Sequence, residues 1–153
     1  MKVEYINPFL NATVKVLETM AQLKVTPGRP YLKDNSDAPG DVSAIIGITG
    51  DTEGSLSITF SADSIKEVVS RMLGEEVMEI NDDVKDAVGE LANIISGDAR
   101  RELEEKGLRL QGSIPTVVAG PRHEIKHIGK GPTIAIPFET DAGPVTVEVC
   151  FNR

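Results

Sequence analysis

Cysteine is nearly missing from this chain of 153 residues, tryptophan is absent, and aromatic residues make up only 4% of it. The single Cys150 excludes an internal disulfide framework and any cysteine-rich zinc site. It lies in an alternating segment near the C-terminus, which marks it as a packed core thiol rather than a reactive one. Long apolar runs are lacking too, since no stretch approaches the roughly 18 consecutive apolar residues of a membrane span. The start, Met1-Lys2-Val3-Glu4-Tyr5, has neither the basic opening nor the apolar run of a secretory signal. Basic residues are in the minority: 16 Lys and Arg face 24 Asp and Glu, for a formal charge of −8. With only short basic stretches such as Arg100-Arg101, nucleic acid and anionic membrane surfaces are excluded as partners. A cytoplasmic protein is expected.

What is present is Val, Ile, Leu and Ala within a hydrophobic content of 40%, too much for a disordered chain. The length fits about one domain, so residues 1–153 are read as a single unit. Asn7-Pro8 reads as a helix cap and first helical residue, with Phe9, Leu10, Val14, Leu17 and Met20 following at helical spacing to about residue 23. Val42–Thr49 and Ser55–Phe60 form a hairpin whose glycines, Gly47, Gly50 and Gly54, punctuate a turn. Ser61 or Ser64 caps a helix that Gly74 ends, and a longer helix runs from about Asp82 to Lys106.

Beyond it the period changes to two. Leu108–Ala119, His123–Ile128, Thr133–Phe138 and Val145–Phe151 read as strands between Gly-Pro turns, with Tyr31-Leu32 as a short edge strand. Alternation in Val145, Val147, Val149 and Phe151 predicts one buried sheet face and one open face. The expected fold is α+β: a mostly antiparallel sheet with long helices packed on it.

His123-Glu124-Ile125-Lys126-His127 matches the zinc-hydrolase pattern H-E-x-x-H, which works only on a helix, where both imidazoles reach one metal. Here it stands between Gly120-Pro121 and Gly129-Lys130-Gly131-Pro132, inside a run of strands. As a strand it turns His123, Ile125 and His127 to one face and Glu124 to the other, so no metal site is expected.

The long helix carries the chemical signal. Wound at about 100° per residue, Val84, Ala87, Val88, Leu91, Ile95 and Ala99 form a core stripe. Asp86, Glu90, Asn93 and Gly97 gather on the opposite side, and Glu90 and Asn93 are i, i+3 neighbours. Gly in a helix interior costs roughly 1 kcal/mol relative to Ala. Gly89 and Gly97 nevertheless flank the pair, as if another backbone must approach it.

Asp86-x-x-x-Glu90-x-x-Asn93, followed after 21 residues by Pro115, resembles the signature of the CheC/CheX-type chemotaxis phosphatases. Asn7-Pro8-Phe9, Glu18-Thr19-Met20 and Met72-Leu73-Gly74 agree with the CheX branch, so the likeness spans almost the whole chain. The Asn-to-Pro gap is about one residue shorter than the family pattern. Glu4-x-x-Asn7 echoes the motif, but Pro8 and the chain end are expected to deny it a helical setting, which leaves one site per chain.

The resemblance implies a CheC/CheX-like α/β sandwich that hydrolyses the aspartyl phosphate of a CheY-like response regulator. By that resemblance Asn93 orients the attacking water and Glu90 pairs with the receiver's lysine. Asp86 and Gly97 serve docking, and Pro115 holds the strand after the helix. The chain binds no cofactor itself, Mg²⁺ comes with the phosphorylated receiver, and two copies form a homodimer. The alternative is a CheX-like module that grips a receiver or another signalling protein without hydrolysis.

Overall fold

The protein is described by a computed structural model covering residues 3–152, so the Met1-Lys2 start considered above lies outside the described residues. Three helices, α1 (Val3–Ala21), α2 (Ala62–Leu73) and α3 (Asp82–Glu105), accompany eight strands. These are β1 (Val25–Pro27), β2 (Tyr31–Lys33), β3 (Val42–Gly50), β4 (Gly54–Phe60), β5 (Leu110–Gly112), β6 (Thr116–Ala119), β7 (Thr133–Thr140) and β8 (Gly143–Phe151). One sheet runs in the order β1-β7-β8-β4-β3-β5, with β2 also on β7 and β6 also on β3, and every pairing is antiparallel. This is the expected α+β architecture. No helix among the described residues is long and apolar enough to cross a membrane.

Register explains the core. Val42, Ala44, Ile46 and Ile48 on β3 stand opposite Phe60, Ile58, Leu56 and Gly54, and β4 in turn faces Val145, Val147, Val149 and Phe151. That apolar face receives the helices, with Phe9 of α1 reaching the Phe151 ring at 5.9 Å. Side chains on the other face are mostly small or polar, among them Ser43, Ser55, Ser57, Thr59, Thr146 and Glu148. They are buried as well, contrary to the expected open face. An irregular segment, residues 120–131, lies over them in place of the strand read at His123–Ile128; its pairing is one isolated bridge, Asp37 to Glu124. The strand expected over Leu108–Ala119 is likewise split into β5 and β6 by Ser113-Ile114-Pro115.

Helix α1 begins at Val3, so Pro8 lies inside it rather than at its first position. Proline has no N–H to give the Glu4 carbonyl one turn earlier. That carbonyl accepts a hydrogen bond from Lys106 Nζ at 3.1 Å, which ties the N-terminus of α1 to the end of α3. Glu4 and Asn7 therefore do have a helical setting, both exposed on α1, where the sequence reading denied them one.

Candidate functional site

Helix α3 starts where its chemistry dictates. Asn81 takes the cap position, its Oδ1 accepting the Val84 N–H at 2.9 Å, and Asp82 and Asp83 complement the positive end of the helix dipole. Val84, Val88, Leu91, Ile95 and Ala99 are fully buried, which fixes the rotation of the helix on the sheet. Asp86, Glu90 and Asn93 are consequently exposed along one line. Among the described residues no side-chain hydrogen bond or ion pair engages these three. Two acceptors and an amide are held out to solvent with nothing of their own to bind.

They line a shallow groove of about 240 Å³ with Lys85, Gly89, Ile114, Pro115 and Val117. Pro115, distant in sequence, thus joins the helical triplet as the groove's opposite wall. Gly89 faces that wall: a Cβ built on it would lie 3.4 Å from Val117 Cγ2 and 3.6 Å from Pro115 Cγ, ordinary van der Waals contact. What stands over Gly89 is thus the chain's own Val117 and Pro115 side chains, not the outside backbone anticipated from the sequence. Gly97 differs, because a Cβ there would meet nothing within 4 Å, and the residue lies outside the groove, one turn beyond Asn93. Gly97→Ala should therefore stabilise the fold by about 0.5–1 kcal/mol through helix propensity alone. Chemical denaturation measures that gain, and a simultaneous rise in the half-saturating partner concentration would mark Gly97 as part of the docking face.

A larger groove, about 810 Å³, lies between β3, β5 and the 120–131 segment, away from the triplet. Its walls include Ile45, Gly47, Thr49, Val118 and Ile128, with Glu124 and Lys126 as the charged groups near the covering segment. It gathers none of the motif residues.

The two histidines act as pins for that covering segment. His123 Nδ1 donates to the Gly120 carbonyl at 2.7 Å, and its Nε2 accepts the Ser43 hydroxyl at 2.7 Å. His127 Nε2 donates to Glu148 Oε1 at 3.1 Å while Nδ1 accepts the Ser55 hydroxyl at 2.6 Å. All four ring nitrogens are engaged within the chain, and Glu124 faces outward as an exposed residue while Ile125 is buried. The pattern H-E-x-x-H here secures a loop to a sheet. Lys33 Nζ reaches Glu148 Oε2 at 2.7 Å and also donates to the Asp37 carbonyl. Burial opposes ionisation of Glu148, but hydrogen bonds from His127 and Lys33, together with the Lys33 charge, outweigh it and hold the carboxyl below its ordinary value.

Comparison with known proteins bears on the chain as a whole. The family profile described as "Chemotaxis phosphatase CheX" matches residues 42–139. The CheY-P phosphatase CheX of Thermotoga maritima is 30% identical over 130 residues, 84% of either chain. The crystal structure of a chemotaxis protein CheX from Desulfovibrio desulfuricans superposes with a TM-score of 0.90 at 50% identity, covering 97% of this chain and 99% of that one. A CheX-CheY-BeF3-Mg complex from Borrelia burgdorferi contains a chain 28% identical to this one, with a TM-score of 0.84 and coverage of 99% and 100%.

Proposed function

We propose, for a chain that belongs to the chemotaxis phosphatase CheX family, that it is a response-regulator phosphatase hydrolysing the aspartyl phosphate of a CheY-like receiver. The observation that carries the site assignment is the exposed Glu90–Asn93 pair, its side chains unengaged among the described residues and standing over the Pro115 wall. Phosphoryl transfer passes through a loose transition state, so positioning and charge stabilisation do most of the work. Asn93 extends its carboxamide into the receiver's site, where oxygen and NH₂ hold a water in line with phosphorus. An amide is no general base at neutral pH, but it fixes a water in one orientation. Glu90 pairs with the receiver's lysine and locks α3 in place, and Asp86, one turn earlier, adds to the docking attraction. Pro115 holds the groove wall by packing against the Gly89 backbone.

Mg²⁺ arrives with the receiver, where it neutralises charge on the phosphoryl group; the CheX-CheY-BeF3-Mg complex of Borrelia burgdorferi supports that reading. Residues 1–153 act as one CheX-like phosphatase domain whose site is the groove on α3. It works in the cytoplasm as a homodimer joined at sheet edges, for which exposed Tyr31 and Leu32 on β2 offer apolar surface. Light scattering at micromolar concentration should return twice the chain mass.

The test of the activity is loss of labelled phosphate from a receiver with and without this protein: acceleration supports it, and an unchanged rate contradicts it. Glu90→Ala should raise the half-saturating receiver concentration about tenfold, the expected loss for a charge-paired contact, with a smaller effect on the saturated rate. An unchanged half-saturation would remove Glu90 from the docking role.

A further inference from the structure

Ile114 is more exposed than any other large apolar side chain among the described residues, at 89% of its full accessibility. A lone isoleucine on a surface needs no explanation by itself. This one differs in how it is held and in what stands beside it. On one side, Ser113 is clamped to β3: its N–H donates to the Gly47 carbonyl at 2.8 Å, and its Oγ accepts the Gly47 N–H at 2.9 Å. On the other, Pro115 packs over Gly89 of α3 and restricts the backbone of the residue before it. Between two fixed neighbours, Ile114 is presented to solvent in one place, lining the same groove as Asp86, Glu90 and Asn93. A pre-placed apolar side chain loses little freedom on binding, which is the condition for an effective anchor.

We propose that Ile114 is the apolar anchor of the docking face, seated against the phosphorylated receiver beside its lysine and governing affinity rather than chemistry. The inference rests on the phosphatase reading above. Its occupant is argued from the groove: the exposed carboxylates of Asp86 and Glu90 flank the isoleucine and suit a partner that brings a lysine and a bound Mg²⁺ to the same spot. A partner surface with cationic groups around an apolar patch is the complement of this arrangement.

The experiment compares wild type, Ile114→Ala, Ile114→Val and a control, Ile128→Ala, using a CheY-like receiver phosphorylated with acetyl phosphate. Ile128 is also exposed, at 61%, but lines the larger groove instead. The expected result for Ile114→Ala is an increase in KM of about tenfold. The saturated rate and Tm should stay near wild type, Ile114→Val should recover most of the affinity, and Ile128→Ala should behave as wild type. An unchanged KM for Ile114→Ala overturns the inference, as does a fall in the saturated rate at constant KM. So does a shift from dimer to monomer that leaves receiver affinity intact, because the anchor would then serve a second copy of the chain. An inactive wild type overturns both the phosphatase reading and this inference, whereas an active one indifferent to Ile114 overturns this inference alone.

Discussion

Asn93→Ala is expected to slow receiver dephosphorylation by about 100-fold or more, while binding to a beryllofluoride-loaded receiver stays within a few-fold of wild type. The magnitude follows from the role: a water held in line is worth on the order of a hundredfold when its positioning is lost. The substitution cannot act by unfolding the protein. Asn93 is exposed on α3 and its side chain makes no intramolecular bond among the described residues. Alanine is also the better helix former, by a few tenths of a kcal/mol. Denaturation should therefore show equal or slightly higher stability alongside the lost activity. Retained turnover in this variant would remove Asn93 from the mechanism.

The second large effect concerns stability and lies on the opposite face of the sheet. Lys33→Met should cost about 3–5 kcal/mol near neutral pH, because it strips a buried carboxylate of one of its two cationic or donor partners. Side-chain exposures of 7% for Lys33 and 1% for Glu148 leave little water to compensate. The network joins four pieces of chain, namely β2, the covering segment, β4 and β8, through Lys33, His127, Ser55 and Glu148. The pH dependence has a definite sign. The carboxyl of Glu148 is held below its ordinary value of 4.5 in the folded state. The stability it contributes is thus complete above that value and is lost as pH falls from there through the lowered folded pKa. Wild type should lose urea resistance over that acid range, and Lys33→Met should lose less, so the two curves converge as pH falls. Parallel curves would contradict the assigned role of the pair.

Helix α3 was legible residue by residue. Its 3.6-residue period set Val84, Val88, Leu91, Ile95 and Ala99 in the core and left Asp86, Glu90 and Asn93 outside, because amphipathic spacing and burial obey one geometry. The Ser61 cap and the Gly74 stop of α2 were equally local, the glycine taking a φ of 71°. The misses arose where tertiary partners override local rules. Pro8 is tolerated inside α1 because Lys106, almost a hundred residues away in sequence, takes over the Glu4 carbonyl. The second sheet face is covered by a segment with no regular period, whose attachment depends on histidine–serine bonds that a strand reading cannot anticipate. Gly89 suggested close approach of an outside backbone, whereas the Pro115 and Val117 side chains stand over it at distances that a Cβ would tolerate. Ile114 drew none, since an isoleucine beside a proline in a β-rich stretch looks like any strand residue until its exposure is known.

Turnover tests the central claim most directly. A phosphorylated receiver in large excess is mixed with a small amount of the wild-type chain, and labelled phosphate remaining on the receiver is followed with time. A catalytic Glu90–Asn93 site predicts that each chain clears many receivers, at a rate proportional to the amount of chain added. Loss of phosphate at the receiver's own rate, or slower, would contradict the account and leave a binding surface in place of an enzyme.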